Sequence, residues 1–197
     1  MLRRGLVVFQ FVLSLVLLIA TLVISKQMSF IRNKNLGYDR ESIIYIPVEG
    51  KLVEKYSLFR DEASRMPGIK IVDRSSQFPH AMAFKLPVVD WPGRAADQKV
   101  TFAMSSVGFD FVKAMGLQVV EGRDFSRDVK ADSTNFLVNE EAVRQMGIDD
   151  PIGTHITVFG KAGQIVGVLK DYHTSSLHEP IDPVVLDVKE SLNFGTV

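Results

Sequence analysis

Residues 5–25, GLVVFQFVLSLVLLIATLVIS, run without a charged side chain. At 1.5 Å per helical residue the stretch spans about 31 Å, close to the hydrocarbon thickness of a bilayer. It predicts a transmembrane helix. A secretory signal peptide is the main rival, but its apolar region is usually about 7 to 15 residues long and closes on an A-x-A-like cleavage site. Ile24, Ser25 and Lys26 supply no such site, which favours an uncleaved anchor. Arg3 and Arg4 precede the stretch, and Lys26, Arg32, Lys34 and Arg40 follow it. A count of positive charges alone would therefore keep the following body inside, although the rule weakens where a long folded domain follows.

Within the span, Gln10, Ser14, Thr21 and Ser25 fall in an arc of roughly 60° at 100° per residue. Two readings of this polar stripe stay open. Ser and Thr are tolerated in such helices because they bond back to their own carbonyls, and small or polar residues also gather where membrane helices pack on one another. The four residues are thus a candidate helix-packing face. Ile24, Met28 and Ile31 continue the helical rhythm past the membrane, with Gly37 as the expected C-terminal stop. The helix then projects about three turns as a stalk, unless Lys26 and Arg32 instead rest near lipid head groups.

The whole chain has 197 residues, 23 basic and 23 acidic side chains and no cysteine. Balanced charge gives nucleic acid no electrostatic footing. The missing thiols remove disulfides, thiolate chemistry and Cys-based zinc sites. The length suits one domain with an added segment.

The body reads as α+β. Ser42 to Val48 is β-branched and aromatic and predicts a strand, which Pro47 should end or place at an edge. Leu52, Tyr56, Phe59, Ala63 and Met66 share one helical face, and Pro67-Gly68 stops that helix. Ile69 to Ser75 then completes a strand-helix-strand unit of the length a parallel crossover needs. Between about 77 and 106, Pro79, Pro87, Pro92 and Gly93 punctuate short apolar pieces, and Val100, Phe102 and Met104 alternate. These features predict an inserted β-rich lobe, with Trp91 packing a small core rather than a partner.

Further on, Asp110 is placed to cap a short helix from Phe111 to Met115, with Leu117 to Val120 a strand after it. Phe136 to Val138 predicts a strand leading to a helix capped by Asn139, favoured at its positive end by Glu140 and Glu141 and closed by Gly147. His155 to Phe159 and Gln164 to Leu169 predict a hairpin around Gly160-Lys161-Ala162-Gly163, and Pro183 to Val188 one more strand. Met115-Gly116 and Met146-Gly147 echo each other as a faint sign of duplication. The expected domains are residues 1–36, transmembrane helix and stalk, and 37–197, a mixed-sheet body carrying the 77–106 insert.

Catalytic and metal motifs are missing from the sequence. His80, His155, His173 and His178 show no HExxH or comparable ligand spacing. Lys170-Asp171-Tyr172-His173 gathers acid, phenol and imidazole, yet neighbours on a strand point to opposite faces, and no G-x-S-x-G is present. A structural, turn-forming role fits the tetrad better. Gly160-Lys161-Ala162-Gly163 lacks the spacing of a phosphate-binding loop, so no ATP site and no cofactor is expected. Glu121, Arg123 and Asp124 read most simply as a solvated turn.

Several passages resemble the MacB-like periplasmic core domain of FtsX-like ABC-transporter permeases. They are Arg4-Gly5-Leu6-Val7-Val8-Phe9-Gln10-Phe11, Asn35-Leu36-Gly37-Tyr38, Glu121-Gly122-Arg123-Asp124-Phe125, Asn139-Glu140 with Ala142 and Gly147, Asp150-Pro151-Ile152-Gly153, and Gly167-Val168-Leu169-Lys170-Asp171-Tyr172-His173. The resemblance implies a permease whose first membrane helix leads into a periplasmic domain, with three more helices later. This chain reaches Phe194-Gly195-Thr196-Val197 without another apolar span, so the resemblance implies a fragment.

It further implies a non-enzymatic module in the bacterial inner membrane with its body in the periplasm. Its implied partners are another permease half or a homodimer partner, and a separate cytoplasmic ATPase that drives export or mechanotransmission. The competing reading is a stand-alone anchored periplasmic sensor or ligand-binding domain; an anchored hydrolase would need a nucleophile and base that the sequence does not group.

Overall fold

The structure is a computed structural model that describes residues 2–33, 36–39, 42–78, 81–82, 84–95, 97–190 and 195–196. The chain divides into two compact units, Met1–Asn35 and Leu36–Val197.

The first unit is helix α1, Leu2–Asn33. Its 28 residues from Arg3 to Phe30 are long and apolar enough to cross a membrane, in length and composition those of a membrane-spanning segment. It continues past Ser25 without a break, through Asn33. Lys34, Asn35 and Arg40 lie outside the described residues. Gly37 does not stop the helix, because Leu36 before it is already non-helical.

The second unit is an eight-stranded mixed sheet with short helices: α2 (Lys51–Glu54), α3 (Tyr56–Ala63), β1 (Lys85–Leu86), β2 (Val89–Asp90), β3 (Phe102–Val107), α4 (Phe111–Ala114), β4 (Val119–Gly122), β5 (Phe136–Asn139), α5 (Glu140–Met146), β6 (His155–Val158), β7 (Lys161–Leu169) and β8 (Val184–Val188). The strand order is β1-β3-β8-β5-β7-β6-β2, with β4 paired to β7 off that path. β3 runs parallel to β8, and β5 parallel to β7; the other pairs are antiparallel. β1 and β2 stand at opposite ends of this order, yet only Pro87 and Val88 separate them in sequence. The sheet must therefore curl until its ends meet. The Phe159 amide donates to the Val88 carbonyl at 3.3 Å as a further rung of the β2–β6 pair, and the Phe84 ring, just before β1, lies 6.4 Å from that of Phe159.

Alternation along the inner strands explains why both sheet faces are buried. Leu137 of β5 joins one apolar cluster, with Leu186, Leu169 and Tyr172. Its neighbours Phe136 and Val138 join the other, with Trp91, Phe102 and Ile156. Trp91 has the packing role expected of it: its ring meets Phe102 edge-on at 5.8 Å, and its indole N–H donates to the Met146 carbonyl at 2.9 Å.

Several local expectations need correction. Segments 42–48 and 69–75 form no strand ladder; they are tied by single bridges, Pro47 to Thr196 and Ser75 to both Thr196 and Val107. The parallel crossover unit is therefore not formed as a ladder. The helix between them breaks at Lys55 into α2 and α3. Tyr56 and Ala63 of the expected face are buried, whereas Met66 is exposed. Phe102 and Met104 belong to β3, which pairs with β1 on one side and β8 on the other.

Asp110 precedes α4 but gives it no side-chain cap; its carboxylate instead accepts from Arg127 Nη1 at 2.6 Å. The hairpin turn is tighter than expected, since Lys161, Ala162 and Gly163 belong to β7 and only Phe159 and Gly160 turn, at φ 51° and 76°. Asn139 and Gly147 act as expected. The Asn139 side chain accepts from the Ala142 amide, and Gly147 closes α5 in the left-handed conformation.

Candidate functional site

The polar stripe lies on α1. Gln10, Ser14, Thr21 and Ser25 are all exposed along one uninterrupted helix, so the 100° step puts them on one side. Thr21 Oγ1 donates to the Leu17 carbonyl at 2.8 Å, which satisfies its hydroxyl within the helix.

In the body, the Asn139 motif builds a buried junction. Asn139 sits where β5 becomes α5, fully enclosed. Its Oδ1 accepts from the Ala142 amide at 3.0 Å and the Val184 amide at 2.7 Å. Its Nδ2 donates to Asp171 Oδ1 and to the Asp182 carbonyl, each at 2.9 Å. One side chain thus ties β5, α5, β8 and the end of β7 together. Asp171 also accepts from the Glu141 amide at 2.8 Å and from Arg144 Nη2, while its own amide donates to Glu140 Oε2 at 3.0 Å. Asp182 accepts from Lys85 Nζ and from Thr174 Oγ1, both at 2.8 Å. Both carboxylates accept from several donors of the chain itself. The junction is built to hold elements, which is the structural role expected for the Lys170 to His173 tetrad.

Tyr172 of that tetrad is completely buried, and burial raises its phenol well above the ordinary value. The His173 amide donates to the Leu36 carbonyl at 2.9 Å. A β-carbon on Gly37 would stand 2.7 Å from Tyr172 Cβ. Leu36-Gly37 and Asp171-Tyr172-His173 are therefore one contact, made by two passages far apart in sequence. Only glycine lets the backbones approach this closely.

The Glu121 to Phe125 passage forms a second junction: Glu121 and Arg123 are exposed, as a solvated cluster has them, but Glu121 and Gly122 belong to β4 and Arg123 reaches an enclosed partner. Arg123 Nη1 and Nη2 donate to Asp132 Oδ2 and Oδ1 at 2.6 and 2.8 Å, a bidentate pair in which the Asp132 side chain is fully enclosed. Asp132 also accepts from the Ser126 amide at 2.8 Å and Asn135 Nδ2 at 3.0 Å. Burial alone would raise its carboxyl, but these donors hold it below the ordinary carboxylate value. Gly122, at φ 73°, would place a β-carbon 2.4 Å from the Val166 carbonyl oxygen. The sequence signals for this junction were the glycine and the Arg-Asp dipeptide; its partner Asp132 carried none.

His155 Nε2 lies 3.1 Å from Gln164 Nε2, and His173 and His178 lie on the irregular segment after β7. His80 lies outside the described residues. Among the described residues, no group of three His, Asp or Glu side chains is placed to hold a metal ion.

The chain belongs to the family of MacB-like periplasmic core domains, whose model matches residues 6–189. Solved structures similar to it include a domain of a protein described as a permease from Porphyromonas gingivalis, at 20% identity and TM-score 0.44 over 66% of this chain. The periplasmic region of MacB from Actinobacillus actinomycetemcomitans is similar at 11% identity and TM-score 0.43 over 68%. The extracellular domain of the noncanonical ABC-type transporter YknZ from Gram-positive bacteria is similar at 13% identity and TM-score 0.48 over 68%. The chain spans 57%, 64% and 66% of those three chains, respectively. No curated protein matches it.

Proposed function

We propose that this chain is a permease-subunit module of an ABC transporter. α1 lies in the bacterial inner membrane, the body faces the periplasm, and a separate cytoplasmic ATPase drives the subunit for export or mechanotransmission. The observation that carries this reading is the family match, which extends across both the exposed apolar helix and the folded body. On this reading residues 1–36 are the anchor and stalk, 37–197 the periplasmic core, and about 77–106 an insert within it.

The chain does no chemistry of its own and takes no cofactor. Its motif residues go into junctions that stiffen the body, as a part that transmits force requires. Gln10, Ser14, Thr21 and Ser25 form the face on which α1 meets another permease half or a second copy.

The test is expression of the chain with alkaline phosphatase fused after Val197, followed by fractionation and co-purification. The reading expects membrane-bound phosphatase activity, which requires an extracytoplasmic fusion, and capture of an ATPase subunit. A soluble cytosolic fusion, or hydrolysis of a substrate by the purified chain, would overturn it.

A further inference from the structure

The body holds an open cleft of about 400 Å³, lined by Arg60 and Ser64 at the end of α3, by Lys70, Ile71 and Val72, and by Asp110 and Arg127. Cations outnumber acids on its walls. Arg127 is answered within the chain, since Asp110 accepts from it at 2.6 Å and Glu190 lies 3.5 Å from its Nε. Arg60 is not. Its Nε stands 3.7 Å from Asp61, the next residue, with both groups partly exposed, a contact of little worth. Lys70 is exposed, and among the described residues it forms no ion pair.

A further cation lies beside these. Arg74 is 7% exposed, and its guanidinium carbon stands 4.2 Å from the centre of the Tyr56 ring. Among the described residues that guanidinium makes no hydrogen bond and no ion pair. The neighbouring Asp73 turns its Oδ1 to the Arg74 backbone amide instead, at 2.8 Å. A buried charge without a partner is unfavourable, and burial pulls the guanidinium below its ordinary value. Tyr56 of α3 is the hub of the cluster, with a buried hydroxyl that has no hydrogen-bond partner. Burial and the charge of Asp73 push its phenol up to about 12, while Arg74, Arg60 and Arg127 pull it down. Three guanidinium groups thus act on one phenol, and two of them line the cleft.

We propose that this cleft binds a small organic phosphate monoester, its phosphate held by Arg60 and Lys70 with the Ser64 hydroxyl as a further donor, and its apolar part against Ile71 and Val72. The guanidinium fork matches phosphate oxygens, and lysine adds a point charge. A monoester carries about −1.5 to −2 charges near pH 7, which answers Arg60 and Lys70 together and sets a counter-charge near Arg74. Ile71 is 39% exposed, an apolar wall that inorganic phosphate would leave wet. A soluble ester and the head group of phosphatidic acid present the same chemistry, and the test separates them.

The test titrates the full chain in dodecyl maltoside with phenyl phosphate at constant ionic strength. In parallel, the chain in phosphatidylcholine nanodiscs is compared with nanodiscs containing rising fractions of phosphatidic acid. Hydrogen–deuterium exchange over residues 56–74 is followed for the unaltered chain, Arg60→Ala, Lys70→Ala and Lys99→Ala, whose site does not line the cleft. The site predicts saturable slowing of exchange. The half-saturating amount should rise about tenfold or more in Arg60→Ala and in Lys70→Ala, and stay unchanged in Lys99→Ala. Protection by phenyl phosphate assigns a soluble ester, and protection by phosphatidic acid alone assigns a membrane lipid. No protection by either would overturn the proposal. So would equal protection in all four chains, or equal protection by benzoate, which would make the cleft a site for anions in general.

Discussion

Gly37 packs its backbone against Tyr172, at a distance where a β-carbon would stand 2.7 Å from Tyr172 Cβ and 2.9 Å from the Asp171 carbonyl oxygen. Its φ of 89° adds a second demand that only glycine meets without strain. Gly37→Ala is therefore expected to destabilise the body by about 2 kcal/mol or more. Gly147→Ala, at φ 67° with nothing within 4 Å, should lose only about 1 kcal/mol. Denaturant unfolding of both variants in the same detergent measures the difference; equal losses would refute the close-approach argument.

Asn139 carries four hydrogen bonds in a fully enclosed position. Asn139→Ala leaves the Val184 and Ala142 amides buried without acceptors, and a loss of about 3 kcal/mol is expected. Asn139→Asp keeps the acceptor but sets a second carboxylate beside Asp171. That variant should be destabilised less at pH 4 than at pH 7, as a pH series of unfolding midpoints would show.

The Arg123–Asp132 pair predicts an acid limb. Asp132 is held below its ordinary value in the folded chain, so its contribution is present above the unfolded carboxylate value, about 4, and is lost as pH falls below it. Arg123→Ala strands an enclosed carboxylate and should cost about 2 kcal/mol at pH 7. The added change Asp132→Asn should recover part of that loss. A double variant no more stable than Arg123→Ala alone would contradict this account.

Asp73 predicts the opposite slope. Burial pushes its carboxyl from 3.8 up to about 6, against the smaller pull of the Arg74 and Asp110 amides, and its Oδ2 is enclosed without a partner. Because the folded value lies above the unfolded one, the native state holds its proton longer. Stability from this group is complete below about pH 4 and is lost as pH rises toward about 6. Asp73→Asn should flatten that slope and gain about 1 to 2 kcal/mol at pH 7, less than the full shift because the group is not wholly buried. Unfolding midpoints between pH 4 and 7 test this directly.

The stripe on α1 is open to crosslinking because the chain has no cysteine of its own. Ser14→Cys and Thr21→Cys are expected to crosslink to a partner helix in the membrane. Val12→Cys and Val23→Cys, on the opposite side at 100° per residue, should not. The reverse pattern would place the packing face elsewhere and leave the Thr21 hydroxyl with only its bond to the Leu17 carbonyl.

Patterns of local period were legible in the chain itself. The uncharged stretch from Gly5 to Ser25, the Asn139 cap, the Gly147 stop and strands β5, β7 and β8 follow from hydrophobic spacing and capping chemistry, which act within a few residues. The order of the motif passages was enough to suggest the family.

Tertiary structure alone decided which strands found neighbours. The pieces 42–48 and 69–75 have strand composition but no ladder, because a strand's backbone groups are satisfied only by a partner that its own sequence does not specify. It also tied the exposed Arg123 to the enclosed Asp132, a pairing hidden from the sequence because Asp132 lies beyond any local pattern. Gly37 changed role for the same reason: its requirement comes from Tyr172, a residue far away in sequence that the fold brings against it.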